Sequence, residues 1–383
     1  MEAFEFATAG RVIVGAGRSA ELAALLAGYG TRALVCTGAS PDRHAGLLAG
    51  LGLPAVTFPV AGEPTVALAR AAVAAAQKHG ADVVAAIGGG SVIDTGKAAA
   101  MLLGNGGDPL DYLEVIGGGR PITRPSVPCV AVPTTAGTGA EVTANAVLAS
   151  PEHQVKASLR GAAMLPLAAL VDPLLTVSCP PEVTAASGMD ALTQCLEPFV
   201  SPRASPLSDA VAREGIRRAA AALRRAHADG TDLGARADMA VASVAGGMAL
   251  ANAKLGAVHG LAGVLGGTVA VPHGMACAAL LAPVIEVNVA ALRAAGPPGE
   301  PALARYAEAA ALLTGDPGAA IEDGVTWVRE TVKVLGIPGL GTFGLAREHA
   351  DGIAAQAQRS SSMQGNPIAL SAGDLCAILA RAS

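Results

Sequence analysis

The sequence predicts two architectures in one chain: an α/β domain built on a parallel sheet over residues 1–180, and an all-helical domain over residues 181–383. Three observations predict this. Short β-branched runs alternate with Ala/Leu-rich stretches through the first part of the chain. Those runs are apolar almost throughout, as strands covered on both faces are, rather than alternating with polar residues. After "LVDPLLTVSCPPEV" strand-like runs largely give out, and Pro180–Pro181 makes a natural joint.

In order, "RVIVGAG" is read as a strand, "SAELAALLAGYG" as a helix, "RALVCTG" as a strand and "VALARAAVAAAQKHG" as a helix. "DVVAAIGGG" follows as a strand, "SVIDTGKAAAMLL" as a helix, and "VPCVAVPTT" and "LAALVDP" as further strands. Beyond the joint come "GMDALTQCLEPFVS", "SPLSDAVAREGIRRAAAALRRAHADG" and "ARADMAVASVAGGMALANAKLG", all helical. Ser205 caps the second of these and Pro206 takes its first helical position. The segment "GPPGEP" is a loop.

Composition narrows the function. Apolar residues make up 52% of the 383, but aromatics only 2%, so the core is built from small aliphatic side chains. Mean hydropathy is +0.48. No apolar run approaches the roughly 20 residues of a spanning helix, and Pro283 interrupts the longest, "MACAALLAPVI". The N-terminal "MEAFEFATAGR" lacks the basic-then-apolar order of a secretion signal. The expectation is a soluble cytoplasmic protein. A net charge of −5 with no basic run argues against a nucleic-acid surface. Six scattered cysteines without paired spacing are read as buried, reduced thiols.

Three glycine-rich stretches stand at strand ends. "GAGRSA" (15–20) fits a dinucleotide fingerprint, but the next strand ends in Thr37 and Gly38 rather than the acid that would bind a ribose; it is read as a tight strand-to-helix turn. "IGGGSVIDTGKA" (87–98) is the better phosphate site. Gly88, Gly89 and Gly90 let the backbone approach a pyrophosphate, and Ser91 opens a helix whose free N–H groups face the anion, with Asp94 and Lys97 in its first turns. "PTTAGTGAEVTAN" (133–145) adds the hydroxyls of Thr134, Thr135 and Thr138 at another strand end, where open α/β sheets bind ligands.

In the helical half, Asp190 and Gln194 are four apart and share one helix face. They either hold a metal or complete a hydrogen-bond network. His44, His79, His227 and His349 lie in polar contexts and are expected to be exposed, and His153 lies in a turn beside Lys156. His259 and His273 differ, each standing beside glycine in nearly uncharged surroundings. Either they are satisfied core histidines, or with Asp190 they form an oxygen and two nitrogens suited to a divalent transition metal.

Together, "GGGSVIDTGKA", "PTTAGTGAEVT", "GMDALTQCLEPFVS", "VHGLAGVLGG" and "VPHGMACAALL", in that order, resemble the iron-containing (group III) alcohol dehydrogenase family along nearly the whole chain. The resemblance implies a Rossmann-like N-terminal domain binding NAD or NADP and a helical domain holding the metal, with the active site in the cleft between them. It implies cofactor contacts from Gly89, Gly90, Ser91, Asp94, Thr134, Thr135, Thr138 and Lys156. Asp190, His259 and His273 would be metal ligands and catalytic, and Asn145 and Ser362 would stand near the substrate. Iron is the first expectation, with zinc or manganese as alternatives, and a homodimer is implied.

Two departures stand out. Gln194 occupies the place of a fourth ligand, usually His, and is expected at or just outside the metal; Gly263 replaces a second family His. Gly38 occupies the place of an acid that binds the adenosine ribose, with Ser40 and Arg43 following, which favours acceptance of NADP. The function implied is reversible hydride transfer between a small alcohol or aldehyde and nicotinamide. A metal-free reductase like the maleylacetate reductases is the alternative. A lyase resembling dehydroquinate synthase is disfavoured because the chain lacks the cations that hold a sugar phosphate.

Overall fold

The computed structural model describes residues 3–153 and 155–383. They fall into two compact units, one of Ala7–Thr135 with Gly139–Ser178, the other centred on Cys179–Ser383 and taking in Ala136–Thr138.

The first unit carries β1 (Val12–Val14), α1 (Leu22–Tyr29), β2 (Ala33–Gly38), α2 (Ala45–Ala49), β3 (Ala55–Val60), α3 (Val66–His79), β4 (Val83–Gly88), α4 (Gly90–Asn105), α5 (Pro109–Tyr112), β5 (Cys129–Pro133), β6 (Asn145–Ser150), β7 (Val155–Arg160) and β8 (Ala168–Val171). Six strands form a parallel sheet in the order β1-β8-β5-β4-β2-β3, and β6 pairs antiparallel with β7 in a separate hairpin. The central strands β2, β4 and β5 are almost wholly buried, as their unbroken apolar runs require, with cores on both faces of the sheet. The expected α/β half is present.

Two parts of it were not foreseen. Strand β3, "AVTFPV", lies at the sheet edge with alternating burial, and its Pro59 is tolerated there because an edge strand has N–H groups that need no ladder partner. The β6–β7 hairpin packs with α3, α4 and α5 over a core of its own, including Ala146, Leu148 and Leu159.

The second unit is helical among the described residues: α6 (Pro181–Val200), α7 (Pro206–Ala228), α8 (Leu233–Ala253), α9 (Ala257–Thr268), α10 (His273–Ala295), α11 (Glu300–Thr314), α12 (Ile321–Val334), α13 (Ala350–Ala357) and α14 (Ala372–Ala382). Ser205 caps α7 by accepting from the Ser208 N–H, with Pro206 at the first helical position, as read from sequence. The expectation that no apolar segment nears a spanning length is corrected, since α10 runs through Pro283 as one helix of 23 residues. That helix is long and apolar enough to cross a membrane by composition, yet most of it is buried inside the protein. This is the pattern of a core helix, and its apolar length is spent on the cluster that joins α6 to α14.

Candidate functional site

Helix α6 places three polar side chains on one buried face: Asp190, Gln194 and Glu197, at spacings of four and three. Helix α9 brings His259 in its first turn, and α10 begins on His273 and carries Cys277 one turn later. The start of α10 lies against the α6 backbone, where a Cβ on Gly274 would stand 2.2 Å from the Ala186 carbonyl oxygen. Glycine is therefore required beside His273 for this approach.

Donor atoms of Asp190, His259, His273 and Cys277 all lie within 4.8 Å of one another. Asp190 Oδ1 is 3.3 Å from His259 Nε2 and 3.7 Å from His273 Nε2. Cys277 Sγ is 3.9 Å from His259 Nε2 and 3.7 Å from His273 Nε2. The two imidazole rings are 5.4 Å apart and tilted by 55°, each turning an Nε2 inward. Asp190 and His259 are buried, whereas the His273 side chain is 39% exposed and marks the open flank of the cluster.

Glu197 orients the set. Its Oε2 is 2.6 Å from His259 Nδ1, and its Oε1 accepts from the Val258 N–H at 2.6 Å. A carboxylate on Nδ1 fixes that proton and leaves Nε2 to face the cluster, the usual support of a metal-binding imidazole. Gln194 hydrogen-bonds to Asp190. Its Oε1 is buried with no partner.

Charge is concentrated here. Burial pushes the Asp190 carboxyl up, but the hydrogen bond from His259 and the two imidazolium charges together hold it below the ordinary range. Burial opposes charge on His259, yet Cys277, Asp190 and Glu197 together raise it well above an ordinary histidine. His273 is raised chiefly by Cys277. The Cys277 thiol, which burial alone would push up, is brought down by both imidazoles. A carboxylate and a thiol thus face two imidazoles around one point, and a divalent cation bound there would displace the thiol and imidazole protons. The donor set fits a metal.

Sequence reasoning missed Cys277 and Glu197. The signal for the first was its i, i+4 spacing from His273, and for the second its place on the Asp190 face of α6. Gly263 is exposed and a Cβ there would meet nothing within 4 Å, so the space one turn beyond His259 is open. Met363 lies against Gly260, so the segment carrying Ser362 runs past the first turn of α9.

In the α/β unit the two glycine loops lie side by side at the ends of β4 and β5. The Thr134 N–H donates to the Gly88 carbonyl at 3.0 Å, and a Cβ on Gly89 would stand 3.3 Å from Thr135 Oγ1. A Cβ on Gly88 would meet the Val92 side chain at 2.4 Å, so only glycine lets α4 start this close to the strand end. Gly89 caps α4 without a side-chain hydrogen bond, and Gly90 and Ser91 form its first turn.

Several residues have other partners. Asp94 accepts from the Val147 N–H at 3.0 Å and stands 3.8 Å from the buried Lys97 ammonium, tying α4 to β6. Lys156 pairs with Glu63 at 2.6 Å. Asn145 opens β6 and is half-buried, whereas Thr138 is exposed and belongs to the helical unit. In "GAGRSA" the Gly17 and Ser19 N–H groups donate to Asp172 at 3.0 Å each, so the turn is filled by the protein itself. His44, His79, His227 and His349, expected exposed, are half-buried.

Family models match both parts of the chain: iron-containing alcohol dehydrogenase over residues 9–173, and the C-terminal part of the Fe-containing alcohol dehydrogenase family over residues 184–383. Choline dehydrogenase of Bacillus subtilis is 36% identical over 293 residues, which cover 76% of this chain and 71% of that protein. Several other curated dehydrogenases are matched over only 52% to 62% of their own length. The solved structure of a 1,3-propanediol oxidoreductase superposes with a TM-score of 0.92 at 31% identity, covering 100% of both chains. A sulfoacetaldehyde reductase from Bifidobacterium kashiwanohense, solved in complex with NAD+, superposes with a TM-score of 0.85 at 26% identity over 100% of this chain and 99% of that one.

Proposed function

Because the chain belongs to the iron-containing alcohol dehydrogenase family, whose members are NAD(P)-dependent oxidoreductases acting on CH–OH groups with a divalent metal, usually iron, we propose that it interconverts a small aliphatic alcohol and its aldehyde. The observation that carries this reading is the convergence of Asp190, His259 and His273 from three helices onto one point. Residues adjoining these ligands in the chain, Met189, Ala191 and Val258, belong to the buried apolar core of the helical unit.

Asp190, His259 and His273 would hold the metal, which when bound supplies Lewis-acid polarisation of the substrate oxygen. Glu197 keeps the proton on His259 Nδ1 and so keeps Nε2 available. The open flank at His273 is where the substrate oxygen would enter. The scarcity of aromatic side chains suits a small aliphatic substrate.

In the α/β unit, the N–H groups at the start of α4 are the natural seat for a pyrophosphate, with Gly89, Gly90 and Ser91 against it and Thr134 and Thr135 on the neighbouring loop. A nicotinamide cofactor held there would supply the hydride chemistry, and the part of Gly89, Gly90, Ser91, Thr134 and Thr135 would be to bind and orient it.

The test is NADH- and NADPH-dependent reduction of a panel of short aldehydes, before and after chelation and on restoring iron, zinc or manganese. Activity should vanish with the metal and return with it, and Asp190→Asn should lower kcat/KM by at least about 100-fold. Full activity in metal-free protein would instead support the metal-free reductase.

A further inference from the structure

We propose that Cys277 is the fourth protein ligand of the metal, so that this chain holds its ion with a carboxylate, two imidazoles and a thiolate, and Gln194 stands outside the coordination shell. The inference rests on the metal-dependent reading above and adds a donor of different chemistry to it.

The geometry points to a single centre with four protein donors, the exposed flank at His273 leaving a further position for the substrate oxygen. Ligands at ordinary zinc distances form a tetrahedron with edges of roughly 3.3–3.6 Å, the longer ones involving sulfur. The four donor separations from the imidazoles are 3.3, 3.7, 3.7 and 3.9 Å, with the longest belonging to Cys277 Sγ. The two remaining separations, Asp190 to Cys277 and His259 to His273, are each within 4.8 Å, so side-chain movements of about an ångström or less bring all four donors onto one ion.

Local structure agrees. His273 and Cys277 are separated by one turn of α10, which places both donors on one face and makes them a chelating pair. Cys277 is fully buried, and the partners its sulfur meets are the two imidazoles. The other fully buried cysteine of the helical unit, Cys195, behaves differently: its sulfur donates to the Ala242 carbonyl and packs as a core residue.

Gln194 is the rival donor, since its Oε1 is buried without a partner. A neutral amide oxygen binds d-block ions more weakly than a thiolate and suits harder cations. Its hydrogen bond to Asp190 already gives it a part, which is to orient the carboxylate. A thiolate in the shell also favours zinc over a hard ion such as manganese.

The experiment replaces the native metal with Co2+ in the full-length protein and records the electronic spectrum. Visible d–d bands report that cobalt is bound, and a near-ultraviolet sulfur-to-cobalt charge-transfer band reports a thiolate ligand. The wild type should show both. Cys277→Ser and Cys277→Ala should keep the d–d bands, lose the charge-transfer band and bind zinc at least about tenfold more weakly, with a smaller drop for manganese. Gln194→Ala should keep the charge-transfer band.

Wild-type d–d bands without charge transfer, or a band that survives in Cys277→Ser, would overturn the assignment while leaving the metal site standing. Failure of the wild type to bind cobalt at all would overturn the metal reading and this inference with it. The wild-type spectrum decides the first point even where a variant does not fold, and circular dichroism of the metal-free variants checks that they do.

Discussion

Glu197 holds His259 through a 2.6 Å contact at Nδ1. Replacing it with Gln keeps the size and removes the charge. Metal affinity measured by chelator competition should fall by about 10–100-fold, the usual effect of losing such a support; unchanged affinity would remove Glu197 from the site. Gly38 makes a different kind of case. It ends β2, and a Cβ there would meet nothing within 4 Å, so the backbone accepts a side chain at this position. Gly38→Asp should lower kcat/KM with NADPH by about tenfold or more relative to NADH, through repulsion of a 2′-phosphate at short range. An unaltered ratio of the two cofactors would show that this strand end does not read the ribose. Residues of this kind were unevenly legible in the sequence. His259 and His273 stood out because glycine and apolar neighbours are rare company for an imidazole. Cys277 and Glu197 did not, because a buried thiol and a helical carboxylate each have a commonplace structural explanation until their neighbours are known.

Elements add constraints that no single side chain carries. Helix α8 ends on Lys254, whose φ of 67° and ψ of 170° lie in a region that is essentially reserved for glycine. Helices α8 and α9 meet there at a bend of 100°, and α9 then delivers His259 in its first turn. Lys254→Gly should relieve about 1 kcal/mol of this strain, raising the unfolding temperature of the helical unit by about 2–4 °C. A fall in that temperature would mean that the lysine side chain, not the backbone, sets the bend. The long helices and the cap at Ser205 were readable because hydrophobic period and capping chemistry are local. The edge strand β3 and the β6–β7 hairpin were not, because their burial depends on which neighbours they pair with. Pro283 concealed the length of α10 for a related reason: counted as an interruption of the apolar run, it is carried inside the helix because packing along the helix offsets its missing N–H.

At the scale of the whole molecule, stability should follow pH through a group remote from the metal ligands in sequence. Glu141 is buried with one carboxylate oxygen unpartnered, and burial pushes its carboxyl up to about 7 against an ordinary value of 4.5. Between those values the folded chain holds a proton that the unfolded chain releases, so its stabilising contribution is full below the unfolded value and is lost as pH rises through the folded one. Denaturant unfolding of the α/β unit should therefore weaken between pH 4.5 and 7 by up to about 3 kcal/mol from this group. Glu141→Gln should flatten that slope, and an identical slope in the variant would assign the effect elsewhere. The sequence by itself determined the two architectures, the family, the glycine loops at the ends of β4 and β5 and the residue types worth watching in the helical half, because strand and helix periods, caps and loop chemistry are written into neighbouring positions. Only the tertiary structure decided that Asp190, His259, His273 and Cys277 share one point, that Glu197 stands behind them and that Asp94 and Lys156 are engaged by other parts of the protein. The physical reason is that three helices must pack at fixed crossings before donors 69 and 83 residues beyond Asp190 come within reach of it, and no local pattern in the chain records that crossing.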